Sequence, residues 1–214
     1  MAETKICGIT TMEALDAAIA GGARMVGFVV FPKSPRHLSR DQIAALTTRA
    51  RGRAEIVVVT VDADDETLAG LAAIAQPDWI QLHGNETPGR VADAGRYAQR
   101  GVIKAVGIAR SEDLAQATAF EPVADMLLFD AKAPTGGLPG GNALAFDWNL
   151  LAGRRFSRPW LLSGGLTPEN VGEAIAACGA ALVDVSSGVE SVPGLKDPAK
   201  IAAFLAAARD AASP

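Results

Sequence analysis

Cys7 lies in the stretch KICGIT, between apolar, strand-like residues and a glycine. A thiol there is either a small buried hydrophobe or a group leaving a strand end toward a site, and Gly8 would let the backbone turn sharply at that point. Asp130 closes the apolar run MLLFD; a carboxyl so placed could give up a proton, or could cap or bond a loop. Arg36, in PKSPRHLS, has the planar fork that grips a carboxylate, with a solvated surface charge as the competing reading. His83, in QLHGNE, is a candidate substrate contact beside the plainer role of a hydrogen-bonded histidine that steadies its own loop. Two stretches gather small residues and amides: LSGGLTPENV, with Gly164 and Gly165, and DVSSGVES, with Ser186, Ser187 and Gly188. In the first, Thr167 is the expected N-cap and Pro168 the first residue of a helix. Exposed amides at such turns favour an anion, ordinary turns being the alternative for each stretch alone.

These residues need elements to position them, and the chain supplies a regular alternation. Apolar, β-branched runs occur at 5–9, 25–30, 55–61, 79–82, 102–106, 126–130, 160–163 and 182–185. Between them, apolar residues recur at helical spacing over 12–20, 40–50, 65–75, 88–99, 111–119, 168–177 and 198–212. A continuous apolar run flanked by helices is a strand covered on both faces, as in a parallel sheet. Eight such units without a composition break predict an α/β fold, a single (β/α)8 barrel over residues 1–214; an open doubly wound sheet is the runner-up. The sixth unit is irregular. Its helix shrinks to something brief near FDWNLLAG, with Asp147 as its cap, after residues 131–145, where four Gly and two Pro exceed what a connector needs and fit a lid.

In a barrel, ligand chemistry sits at the C-terminal ends of the strands. Cys7, Arg36, His83, Asp130 and both small-residue stretches fall at or just beyond those ends. The two stretches follow strands 7 and 8, where many barrels hold a phosphate.

The bulk properties bound the partners. The chain has 214 residues, 49% hydrophobic and 21% charged, with a net charge of −4. That is a globular composition, and it argues against nucleic acid as a partner. No apolar run is long enough to span a bilayer and MAETK has no signal-peptide pattern, so neither a membrane nor secretion is expected and the protein is read as cytoplasmic. Without a secretory signal, Cys7 and Cys178 are expected as free thiols, Cys178 as a small buried hydrophobe in a helix.

Taken together, KICGIT, GFVVFPKSPRHLS, IQLHGNE, IKAVGI, LLFDAK, FDW, LSGGLTPENV and DVSSGVESVPGLKD, running from residue 5 to residue 197 in barrel order, resemble phosphoribosylanthranilate isomerase of tryptophan biosynthesis. The resemblance implies an aldose–ketose (Amadori) isomerisation of N-(5-phospho-β-D-ribosyl)anthranilate to 1-(2-carboxyphenylamino)-1-deoxy-D-ribulose 5-phosphate. It implies no cofactor and no metal, a small-molecule phosphoribosyl substrate, and a monomer or homodimer. By motif, Cys7 would be the general base, Asp130 the general acid and Arg36 the carboxylate ligand, while the Gly164–Gly165 and Ser186–Ser187–Gly188 loops would hold the phosphate.

The implied reaction explains these residue types. Opening the ribofuranose ring puts a proton on the ring oxygen, so Asp130 must start protonated, which asks for apolar burial or a neighbouring anion. Ring opening gives a protonated Schiff base that acidifies the sugar C2 proton. A thiol titrating at about 8.5 is only partly thiolate at neutral pH, and a positive neighbour such as Lys5, on the same strand face, would help it. The segment GGNALAFDW departs from the family pattern GGxGxxFDW at Ala143, which bears on the loop. Two other functions compete. One is a histidine-pathway phosphoribosyl isomerase, for which an aspartate base rather than Cys7 would be expected near the end of strand 1; the other is a phosphoribosyl-binding barrel without catalysis.

Overall fold

A computed structural model describes residues 2–132 and 145–211. Eight parallel strands close into a barrel in sequence order: β1 (Glu3–Cys7), β2 (Met25–Val30), β3 (Glu55–Thr60), β4 (Trp79–Leu82), β5 (Gly101–Ile108), β6 (Met126–Ala131), β7 (Trp160–Leu162) and β8 (Leu182–Val185), with β8 pairing back onto β1. The open-sheet alternative is thereby excluded. Closure leaves none of the eight strands with a free edge.

The apolar runs are continuous because each strand is buried on both faces. Facing inward, Cys7, Met25, Val29, Val57, Val59, Trp79, Ile103, Ala105, Met126, Leu128, Leu161 and Leu182 fill the barrel. Alternate residues such as Ile6, Phe28, Val58 and Phe129 face outward and pack with helix residues such as Leu15, Ile43 and Leu68.

The helices follow the periodic stretches: α1 (Met12–Ala20), α2 (Arg40–Ala50), α3 (Asp65–Ala75), α4 (Pro88–Ala94), α5 (Ala115–Phe120), α6 (Val171–Cys178) and α7 (Pro198–Asp210). Side-chain caps set the starts of α1, α2, α3, α4 and α7. Thr11, Asp64, Thr87 and Asp197 each accept from a backbone amide, and Ser39 with Gln42 forms a reciprocal capping box. The helix after β7 corrects the sequence reading. It begins at Val171, not Pro168, because Thr167–Asn170 forms a separate turn in which the Asn170 side chain accepts from Thr167 N at 2.7 Å. Among the described residues after β6, a 3-10 turn, Trp148–Leu151, is the one helical element before β7, with Asp147 accepting from Asn149 N as its cap. On that side Phe129, Phe156 and Trp160 pack ring to ring, with centroids 4.7–6.0 Å apart. The expected lid and Ala143 fall almost wholly within 133–144, outside the described residues.

One element was not anticipated. A short antiparallel hairpin, β9 (Glu190–Val192) and β10 (Leu195–Lys196), follows β8. It is fastened to the barrel rim by Thr10 Oγ1, which donates to Gly194 O at 2.9 Å, and by Lys200 Nζ, which donates to Glu190 O at 2.8 Å.

Candidate active site

One pocket at the C-terminal rim is lined by Cys7, Phe31, Ser34, Arg36, Gln81, His83, Asp130, Ser163, Asp184 and Ser186, with Val29, Val59 and Val61. It encloses about 510 Å³ when its open mouth is counted, within the size range of small-molecule sites. Five of the residues expected from sequence, Cys7, Arg36, His83, Asp130 and Ser186, meet here.

Cys7 is the last residue of β1 and points inward. Its β2 neighbour is Gly27, where a Cβ would lie 2.9 Å from the Cys7 sulfur, so that glycine makes room for the thiol. Gly8 has φ of +74°, and a Cβ there would fall 2.5 Å from Arg36 Cδ. Both the turn and the close passage of the arginine therefore require glycine.

Lys5 is fully buried and gives its ammonium to Asp184 Oδ1 at 2.8 Å, while Ser163 Oγ donates to Asp184 Oδ2 at 3.1 Å. Lys5 and Asp184 are direct partners across the β1–β8 seam. Burial pushes the Cys7 thiol above its ordinary value, and the nearby Lys5 charge offsets this only in part. Burial opposes the Lys5 charge as well, but Asp184 and the thiol outweigh it and hold the ammonium above its usual range. The positive neighbour expected for the thiol is thus present, though already neutralised by a carboxylate.

Asp130, at the end of β6, is buried. Its Oδ1 accepts from Ala131 N at 2.9 Å, and its Oδ2 lies 3.2 Å from His83 Nε2. His83 is therefore in contact with the candidate acid as well as lining the pocket. Its loop is steadied by other groups: Glu86 accepts from Gly84 N and Asp62 N and pairs with Lys104 at 2.6 Å.

Arg36 is also buried, and it is doubly bonded to Glu190 of the hairpin: Nε to Oε1 at 2.7 Å and Nη2 to Oε2 at 2.9 Å. This fork-to-fork pair fixes the guanidinium plane and leaves Nη1 free of Glu190. Lys196 Nζ donates to the same Glu190 at 2.6 Å and to Ser186 O and Oγ at 3.0 and 3.1 Å. Two buried cations thus share one carboxylate, an arrangement suited to a second anion. Burial pulls the Lys196 ammonium below its ordinary range, Glu190 opposing this and Arg36 adding to it. Glu190 in turn lies below the usual carboxylate range, because Arg36 and Lys196 overcome its own burial.

Gly164, Gly165, Ser187 and Gly188 lie outside the pocket wall, in the loops after β7 and β8. Gly164 and Gly165 take φ of +86° and +66°, and a Cβ on Gly188 would meet Leu166 O at 1.9 Å, so the two loops touch through bare backbone. The N–H groups of Gly165 and Gly188 donate to no protein acceptor among the described residues.

Sequence reasoning missed Glu190, Lys196, Gln81 and Asp184. The last two were within reach, since Gln81 shares a strand face with His83 and Asp184 sits opposite Lys5 once the barrel is closed. Cys178 is buried in α6 and not joined to Cys7, its thiol bonded to Ala174 O at 3.1 Å. Among the described residues, no helix is long and apolar enough to cross a membrane.

A closed barrel with a thiol, a carboxyl and a held guanidinium around one rim pocket has the layout of a (β/α)8 enzyme acting on a small anionic molecule. Residues 4–207 match the family model for N-(5'-phosphoribosyl)anthranilate isomerase. N-(5'-phosphoribosyl)anthranilate isomerase of Caulobacter sp. (strain K31) is 52% identical over 211 residues, covering 98% of this chain and 99% of that protein. The crystal structure of phosphoribosyl anthranilate isomerase from Thermotoga maritima superposes with a TM-score of 0.88 at 36% identity, over 98% of this chain and 100% of that one. A phosphoribosyl anthranilate isomerase in complex with reduced 1-(o-carboxyphenylamino)-1-deoxyribulose 5-phosphate superposes at 0.85 with 34% identity, over 98% and 100% of the two chains. The chain belongs to the phosphoribosylanthranilate isomerase family.

Proposed function

We propose that the protein converts N-(5-phospho-β-D-ribosyl)anthranilate to 1-(2-carboxyphenylamino)-1-deoxy-D-ribulose 5-phosphate in tryptophan biosynthesis, with Asp130 as general acid and Cys7 as general base. The observation that carries this reading is the convergence of Cys7, Asp130 and Arg36 on one rim pocket from three separate strand ends. Asp130 gives its proton to the ring oxygen as the C1–O bond breaks, and the nitrogen lone pair forms the protonated Schiff base. Cys7 then takes the C2 proton, and the electron pair flows to the cationic nitrogen to give the enolamine. Tautomerisation adds a proton at C1, removes the C2 hydroxyl proton and yields the ketone.

Burial holds the thiol protonated more firmly than an ordinary cysteine, so the cationic Schiff base supplies positive charge just when thiolate is needed. Arg36, fixed by Glu190, turns its free Nη1 edge to the anthranilate carboxylate. The amides of Gly165 and Gly188, in the loops that also carry Gly164, Ser186 and Ser187, take the phosphate. With Lys196 shared between Glu190 and Ser186, that end of the pocket carries one surplus positive charge, suited to a ligand with anionic groups. A cytoplasmic location fits a small-molecule substrate of this kind.

The test is turnover of freshly generated phosphoribosylanthranilate by the purified protein, with Cys7→Ala alongside. Rapid conversion by the wild type and a loss of about 100-fold or more in the variant are expected, the low end of general-base contributions. No conversion by folded wild-type protein would overturn the assignment.

A further inference from the structure

Gln81 is a polar residue in an apolar wall. It sits on the inner face of β4, paired in register with Val59 of β3 and Ile103 of β5, which both face the barrel interior. The residue is 1% exposed, yet its Oε1 has no protein partner among the described residues. A leucine or methionine would fill such a position without leaving a buried acceptor unpaired. Packing alone therefore does not account for the amide.

Its other end does. Gln81 Nε2 lies 3.0 Å from His83 Nδ1, and His83 Nε2 lies 3.2 Å from Asp130 Oδ2. An amide nitrogen only donates, so Nδ1 must be the accepting nitrogen and the proton of a neutral His83 must sit on Nε2, where it is donated to Asp130. Turned the other way, the amide would present Oε1 to Nδ1 and require the opposite tautomer, whose bare Nε2 could accept from a protonated Asp130 but would set a lone pair against the carboxylate left once that proton is given up. Only the first arrangement keeps a donor on Asp130 after the transfer.

We propose that Gln81 is a positioning residue for the general acid: it holds His83 in the Nε2–H tautomer, so that His83 and the Ala131 amide together receive the carboxylate formed when Asp130 gives up its proton. Ala131 N bonds Oδ1 and His83 bonds Oδ2, so each carboxylate oxygen has its own fixed donor. Donors fixed in advance where charge develops do their work without reorganisation during the proton transfer. The inference rests on Asp130 being the acid, but the tautomer it predicts can be read without any turnover.

The chain has two histidines, His37 and His83, so a long-range ¹H–¹⁵N correlation spectrum of ¹⁵N-histidine-labelled protein holds two ring systems, told apart by His37→Asn. His83 is expected with a protonated Nε2 and a bare Nδ1. In Gln81→Glu, whose carboxylate only accepts, the proton is expected to appear on Nδ1. Gln81→Met is expected to lower kcat about 10-fold or more with KM changed less than about 3-fold, at the modest end of acid–base effects. A wild-type His83 protonated on Nδ1 alone would overturn the proposal, and so would a folded Gln81→Met enzyme with unchanged kcat. The wild-type spectrum decides the tautomer even if neither variant folds. Undiminished turnover by Asp130→Asn would instead remove the acid assignment and leave the tautomer result standing.

Discussion

Replacing Lys5 by methionine keeps much of the side chain's volume and removes a charge that touches two buried groups. Asp184 would lose its 2.8 Å partner and keep Ser163 Oγ at 3.1 Å. Breaking a buried ion pair from one side costs about 3–5 kcal/mol, because the remaining charge is left without compensation. That is a large part of the stability of a typical domain. The second effect is on Cys7, whose thiol is raised by burial, lowered by Lys5 and Lys196, and raised by Asp184. Without Lys5 the burial and Asp184 effects are less opposed, and the thiol moves further up. Each unit of that movement is worth about 1.4 kcal/mol between the two protonation states. At fixed pH the thiolate fraction falls, so the ascending limb of kcat/KM should move to higher pH than in the wild type. Urea melts at pH 7 measure the first effect, and pH–rate profiles the second. The wild-type linkage has a definite sign. A folded-state thiol above its unfolded value contributes stability below about pH 8.5, and this is lost as pH rises through the folded value. Lys5 behaves alike at higher pH, its contribution being present below the ordinary lysine value and lost through its raised one. A Lys5→Met protein with wild-type stability and an unmoved or lowered limb would refute this reasoning.

Arg36→Met should raise KM for the carboxylated substrate by about 10-fold or more, in line with the cost of a lost charge-assisted pair, while inorganic phosphate still competes at the wild-type concentration; steady-state kinetics with phosphate as inhibitor check both. Gly27→Ala places a methyl group 2.9 Å from the Cys7 sulfur and 3.1 Å from its Cα, so it should destabilise by about 1–3 kcal/mol, as overpacking does, and lower kcat more than it raises KM; denaturant melts and kinetics test this pair. Lys104→Met strands Glu86, whose carboxylate holds the loop carrying His83, and should cost about 3–5 kcal/mol, readable as a lower urea midpoint with unchanged slope.

Much of the barrel was legible because strands buried on both faces leave continuous apolar runs, and helices packed on them leave a 3.6-residue rhythm. Strand β5 runs to Ile108, past the reading that stopped at Val106, because Gly107 interrupts the apolar pattern without interrupting the ladder: it pairs with Asp130. The start of α6 was misplaced since Pro168 after Thr167 has the pattern of a helix start, but the Asn170 side chain closes a turn there first. The β9–β10 hairpin escaped because it is short, carries charges and has no alternation; its role appears only in three dimensions, where Glu190 reaches Arg36 across 154 positions of sequence. Sequence offers Lys5 as a neighbour of Cys7, whereas its neutralisation by Asp184 follows only once β8 is registered against β1. The sequence offers His83 both a structural and a functional role, and only the folded chain shows that it lies against Asp130.

The division of labour between Asp130 and Cys7 is tested most directly by borohydride trapping during single turnovers. If Asp130 opens the ring and Cys7 acts only afterwards, Cys7→Ala should accumulate the open-chain Schiff base and yield the reduced amine above a protein-free control. Asp130→Asn, stopped before ring opening, should yield none above that control. The reverse pattern, with trapped amine from Asp130→Asn and none from Cys7→Ala, would contradict the account.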